Sequence, residues 1–126
     1  MLTMPFGLMP FGGKPKLLAY SNTNLAAGTN TLNIFTSISS QVCFLRKLGF
    51  RYTGTTTNVT VTFGILWGGT TYNLQTFATL TTARWNLFQA DLWFTTDMTV
   101  VATITNATLG NDFDASLSYD EIRSDR

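Results

Sequence analysis

The sequence predicts an all-β protein, an antiparallel β-sandwich read as a jelly roll of about eight strands with an extended N-terminal arm. Three observations predict it. Apolar residues alternate with Thr, Ser and Asn through most of the chain, the period of strands with one buried face. Turn signals built on Gly and Asn return every ~8–15 residues. No segment shows the helical period. An immunoglobulin-like sandwich is the second choice, because strand order cannot be read from a single sequence.

The chain divides into residues 1–15, the arm, and residues 16–126, one β-sandwich domain. In the arm, MPFG at 4–7 recurs at 9–12. Proline and glycine at that density exclude a regular helix or a central strand. Met4, Pro5, Phe6, Leu8, Met9, Pro10 and Phe11 would leave an apolar strip wet unless it is covered. The arm either folds back over its own domain or docks on a neighbour, and both satisfy the same burial demand.

The first strand is expected at Lys16–Ser21 and ends in the Asn-rich stretch 22–24. The second, Thr29–Phe35, alternates Leu32 and Ile34 with Thr31 and Asn33. Gln41–Trp67 holds the two central strands. Val42, Phe44, Leu48, Phe50 and Tyr52 are in register in the first. Val59, Val61, Phe63, Ile65 and Trp67 line the inner face of the second. Gly68-Gly69 supplies a hairpin turn, since glycine takes positive φ without steric cost. Thr70–Phe77 returns with Tyr72, Leu74 and Phe77 inward. Ala83–Ala90 places Trp85 and Leu87 opposite Phe88, and Asp91–Phe94 reads as a bend. In Asp97–Asn106, Met98, Val100, Ala102 and Ile104 face inward. Asp112–Ile122 closes the domain with Phe113, Ala115, Leu117 and Tyr119 inward and Asp112, Asp114, Ser116, Ser118 and Asp120 outward.

A chain of 126 residues makes one domain that buries roughly two-thirds of its unfolded surface. Only 12% of residues are charged, about half the usual share. A surface of Thr, Ser and Asn suits burial against other protein, because little charge is desolvated on contact. The net charge of +1 hides an uneven layout, about +6 over residues 1–90 and −5 over 91–126. Arg46, Lys47, Arg51 and Arg84 therefore have candidate partners in Asp112, Asp114 and Asp120. They pair either across the sheet of one chain or between neighbouring copies, where they would set register and orientation.

With no histidine, Ser–His–acid and Cys–His nucleophile systems are excluded, along with almost all zinc or iron sites. The single Cys43 rules out an intrachain disulfide and reads as a small buried hydrophobe. Gly12-Gly13-Lys14 lacks the spacing of a phosphate loop. Asp112 and Asp114 share a strand face about 6.5–7 Å apart, a separation open to an inverting glycosidase or, with Asn111, to calcium. A soluble sheet edge explains them more simply. Trp67, Tyr72, Trp85 and Trp93 could form a sugar platform, although core packing accounts for Trp67 and Trp85 at less cost. Four cations on a nearly neutral domain fall short of a nucleic-acid surface. No cofactor is expected, no run reaches membrane-spanning length, and Pro5 and Pro10 interrupt any signal peptide. Sequons at Asn58 and Asn106 matter only in a secreted protein.

The arm MLTMPFGLMPFGGKPK, the Thr-rich strands of NVTVTFGILWGGTTYNL and the closing strand DFDASLSYDEI resemble small jelly-roll virion proteins of tailed bacteriophages. These are the decoration or cement proteins that sit on capsid lattices, usually as trimers with an N-terminal arm. The resemblance covers the chain as a pattern and rests on no specific motif. It implies a non-enzymatic virion protein, made in the host cytoplasm, that clamps coat subunits together. Its partners would be a major capsid or other virion protein and further copies of itself, with no membrane and no nucleic acid. The alternative is a carbohydrate- or receptor-binding β-sandwich module of a phage tail or neck.

Overall fold

A computed structural model describes residues 14–36, 41–54, 57–78, 80–95 and 97–123. The seven apolar arm residues from Met4 to Phe11 singled out above lie outside the described residues. Eight strands form: β1 (Lys14–Asn22), β2 (Gly28–Thr36), β3 (Gln41–Thr53), β4 (Thr60–Trp67), β5 (Thr70–Phe77), β6 (Trp85–Phe94), β7 (Met98–Ala107) and β8 (Asp112–Arg123). Lys14 and Pro15 already pair with Glu121 and Asp120, so the first strand starts two residues before its predicted position.

The strands make two antiparallel four-stranded sheets, β1-β8-β3-β6 and β2-β7-β4-β5. One operation explains that order. Folding the chain in half at the β4–β5 hairpin pairs β4 with β5, β3 with β6, β2 with β7 and β1 with β8. Rolling the resulting ribbon sets β3 beside β8 and β4 beside β7. The product is a jelly roll, and the immunoglobulin-like alternative, whose sheets are ordered otherwise, is set aside. The crease is Gly68-Gly69, with φ +61° and +81°, the backbone that a two-residue hairpin matched to strand twist requires.

Alternation directs one face of each sheet into a shared core. Phe50, Phe63 and Phe113 meet there with ring centroids 5.8–6.3 Å apart, and Phe77 and Phe88 close the cluster at 5.0–5.7 Å. Toward the other end, Phe35 packs on Phe94 at 5.4 Å and on Tyr119 at 4.9 Å. Offset and edge-on aromatic pairs of this kind add attraction beyond their buried area. Cys43 is buried among them, as expected.

Three expectations are corrected, two of them by bulges. In β3, Leu45 opposes Tyr119 and Lys47 opposes Ser118, so Arg46 is an extra residue. A single inserted residue exchanges inward and outward parity. Cys43 and Leu45 point inward before it, and Leu48, Phe50 and Tyr52 after it, while Val42 and Phe44 are only half-buried. Opposite this bulge, Asp91 adopts φ +48°, and β6 continues through to Phe94 where a bend was expected. Trp67 and Tyr72 were expected inward but are about half exposed. Their rings meet near the hairpin with centroids 6.5 Å apart, Trp67 lying beyond Ile65, the last buried residue of β4, and Tyr72 opposite Ile65 on β5.

Candidate functional site

The outer face of the sheet β1-β8-β3-β6 exposes large apolar side chains. Directly opposed residues on neighbouring strands point to the same side, so the registers define rows across it. At one end the row is Pro15–Asp120–Phe44–Trp93. Next come Leu17 and Lys47 with Ser118, then Ala19–Ser116–Gly49–Leu87, and finally Ser21–Asp114–Arg51–Trp85. Ser116, Ser118 and Gly49 keep the centre of the face low, and large apolar residues stand at Leu17, Trp85, Leu87 and Trp93. Leu17 is 79% exposed and Leu87 65%, with Trp85 and Trp93 each near half. Trp85 as a core residue is therefore corrected. It stands outside the sandwich while its neighbours in alternation, Phe88 and Ala90, pack inward.

Glycine at position 49 shapes this face. A Cβ there would overlap Leu87 Cδ2 and approach Asn86 O at 3.2 Å, so the missing side chain lets Leu87 lie down against β3. Beside it is a shallow depression of about 530 Å³, lined by Ala19, Ser21, Arg51, Trp85, Leu87 and Asp114 among others.

Four of the charges on the face form two Arg–Asp pairs, while Lys47 is exposed in the row of Leu17 and Arg51 Nε is buried without a hydrogen-bond partner. Arg51 Nη2 donates to Asp114 Oδ2 at 2.7 Å, and Ser21 Oγ donates to Asp114 Oδ1 at 2.7 Å. The Arg51 guanidinium also sits 5.6 Å from the centroid of the Trp85 ring. Burial alone would raise the Asp114 pKa, but the Arg51 and Ser21 hydrogen bonds and the Arg51 charge outweigh it and hold the carboxyl below its ordinary value. At the other end, Arg46 Nε and Nη2 both approach Asp120 Oδ2 at 2.6 Å. That guanidinium lies 4.9 Å from the Phe44 ring centroid, and Phe44 meets Trp93 edge-on at 5.0 Å. Asp120, expected at the solvent face, is only 7% exposed beneath this cover. The two ends of the face thus share one construction: an Arg–Asp pair across β3 and β8 beside a tryptophan of β6.

Of the predicted charged residues, the structure joins Arg46 with Asp120 and Arg51 with Asp114. Lys47 and Arg84 are exposed, and Asp112 is half-buried. Asp114 does not suit hydrolysis, which needs an acid with a raised pKa, whereas this carboxyl is held low by its donors. Among the described residues no group of three or more acidic or Cys side chains is placed to hold a metal ion. Among the described residues there is no helix long and apolar enough to cross a membrane. The four proposed platform aromatics do not share a surface: Trp67 and Tyr72 stand by the β4–β5 hairpin, tilted 50° to each other, and Trp85 and Trp93 lie on the other sheet.

Sequence reasoning missed Leu17 and Leu87 as exposed residues. One signal for Leu87 was present. WNLFQADLWF is apolar on both faces, whereas a strand with one solvated face alternates cleanly with polar residues.

Comparison of the sequence with protein-family models and with curated proteins gives no match. Three solved structures are similar in shape: infectious bursal disease virus Gt strain, the Gx strain of the same virus, and its VP2 subviral particle. Identities are 18%, 17% and 18%, and TM-scores 0.42, 0.44 and 0.45. The matches cover 96–97% of this chain but only 36–37% of those chains, so it spans little more than a third of their length. At that level of likeness, function has to be argued from this chain's own residues.

Proposed function

We propose that the chain is a non-enzymatic structural protein of a virion, decorating and stabilising a capsid lattice through self-association and its N-terminal arm. The observation that carries this reading is the outer face of β1-β8-β3-β6, where Leu17, Trp85, Leu87 and Trp93 are exposed and Arg46 and Arg51 are paired with Asp120 and Asp114. Contact there would desolvate little unpaired charge and would cover apolar groups worth about 1.5–3 kcal/mol each when fully buried. Tryptophan and arginine are among the side chains that dominate protein interfaces. The virion assignment draws on the arm and the Thr-rich strands, which resemble those of small jelly-roll virion proteins. A jelly roll alone does not specify a function.

Sedimentation equilibrium of the full chain tests this reading. A symmetric oligomer is expected, with a trimer as the specific proposal, and a monomer at every concentration contradicts it. The half-exposed Trp85 and Trp93 also favour a second reading, a carbohydrate- or receptor-binding module. Oligosaccharides would then quench tryptophan emission of a monomer, and a glycan panel without quenching removes that option.

A further inference from the structure

We infer that copies of the chain join side by side, the β6 edge of one outer face against the β1 edge of the next, with the rows of the two sheets kept level. The inference rests on the assembly reading above and names the surfaces that meet.

The two edges match in shape. Three antiparallel pairings separate β1 from β6, so these strands run in opposite directions. A copy turned about an axis along the strands therefore brings its β6 beside the next β1 without shifting any row. The registers then set Pro15 beside Trp93, Leu17 beside Gln89, Ala19 beside Leu87 and Ser21 beside Trp85. Leu17, 79% exposed, meets the gap that Gln89 leaves between Leu87 and Trp93. Leu87 and Trp85 in turn meet the small, exposed Ala19 and Ser21. Large residues facing small ones let apolar surfaces interdigitate.

The charges match at the same levels. Lys14 and Lys16 are exposed at one end of β1. The row of Lys16 ends at Leu92, the neighbour of Asp91, an offset of about 3.4 Å along the strand that a lysine side chain spans. Asp91 is exposed and accepts a hydrogen bond from Gln89 Nε2 at 2.9 Å. Among the described residues it forms no ion pair. Within one chain Lys16 stands three strands away, about 14 Å, so the cation that meets Asp91 comes from the next copy. Arg84 lies past the row of Ser21, where β1 carries no charge. Lys47 stands one strand in from β6 and stays in water beside the seam.

Neither edge suits continuous strand pairing. Lys14, Pro15 and Lys16 guard β1, and Asp91, at φ +48°, interrupts β6. Side chains therefore make the contact, which lets the two sheets turn at the seam. Unlike surfaces meet there, so the contact is heterologous and closes into a ring, of which a trimer is one size.

Disulfide trapping between two full-length variants tests the inference. Leu17→Cys and Gln89→Cys each place a thiol at an exposed position, while Cys43 is buried. Mixed, re-equilibrated and mildly oxidised, the pair is expected to give a disulfide-linked dimer that neither variant gives alone. If the wild-type chain sediments as an oligomer and the mixture stays unlinked, the assembly reading stands and this inference falls. It falls equally if either variant links to itself as readily as to the other. A wild-type chain that is monomeric at every concentration removes both. Ala19→Cys mixed with Leu87→Cys, opposed in the same way, serves as the pair if Leu17→Cys lowers the sedimenting mass.

Discussion

The Asp114 carboxylate accepts hydrogen bonds from Arg51 and Ser21 at 2.7 Å each, and its pKa lies below the ordinary 3.8. A depressed folded-state pKa contributes stability that is complete above the unfolded value and is lost as pH falls through the folded one. Asp114→Asn should therefore be less stable than wild type at about pH 6, by up to ~1 kcal/mol because Arg51 is partly solvated. The gap should narrow progressively once pH drops below 3.8, and thermal melts across an acid series measure it. Gly49 gives a second residue-scale expectation. In Gly49→Ala the groups that must yield are the end of a flexible leucine, Leu87 Cδ2, and, to a lesser extent, the Asn86 carbonyl. Stability should fall by about 1–3 kcal/mol while Leu87 is lifted from its seat. Denaturant titration checks the first part, and weakened self-association the second.

At the scale of single elements, the extra residue in β3 and the hairpin crease carry the most information. The Arg46 bulge directs a guanidinium at both Asp120 and Phe44. Arg46→Ala keeps the register but leaves the 7%-exposed Asp120 without that cation, which should cost ~1–3 kcal/mol in denaturant unfolding. At the crease, Gly69 has φ +81° and nothing near a would-be Cβ. Gly69→Val should then cost about 1–2 kcal/mol from backbone strain alone, again measured by unfolding. These elements also mark where the sequence was legible. Gly-Gly declared its turn because only glycine takes that backbone cheaply. β7 and β8 alternated legibly because Val100, Ala102, Ile104, Phe113, Ala115 and Leu117 enter the core at every second position, while Val101 and Asp120 are covered on the other side. β3 did not declare its bulge, since an inserted residue carries no composition of its own and is visible only against its partner strand. β6 was misread at Asp91 for the same reason, and Trp67 because alternation fixes a side but not where the core ends.

The whole molecule is one antiparallel ribbon rolled into two sheets, with one sheet apolar on both its inner and outer faces. The jelly roll was within reach of strand count and turn spacing. The interface was not, because it depends on which strands become neighbours. Trp85 and Leu87 lie more than 60 residues from Ala19 and Ser21 in sequence, and only the order β1-β8-β3-β6 brings them to one face. Soluble assemblies of identical chains are mostly closed and symmetric, and the trimer proposed above is one such closed form. The central claim, that assembly covers this face, is tested most directly by acrylamide quenching of a Trp67→Phe variant, in which Trp85 and Trp93 are the remaining tryptophans. Quenching is expected to fall as protein concentration rises through the assembly transition seen by sedimentation. Quenching that stays constant while the mass rises would contradict the claim, because both tryptophans would then remain in water within the oligomer.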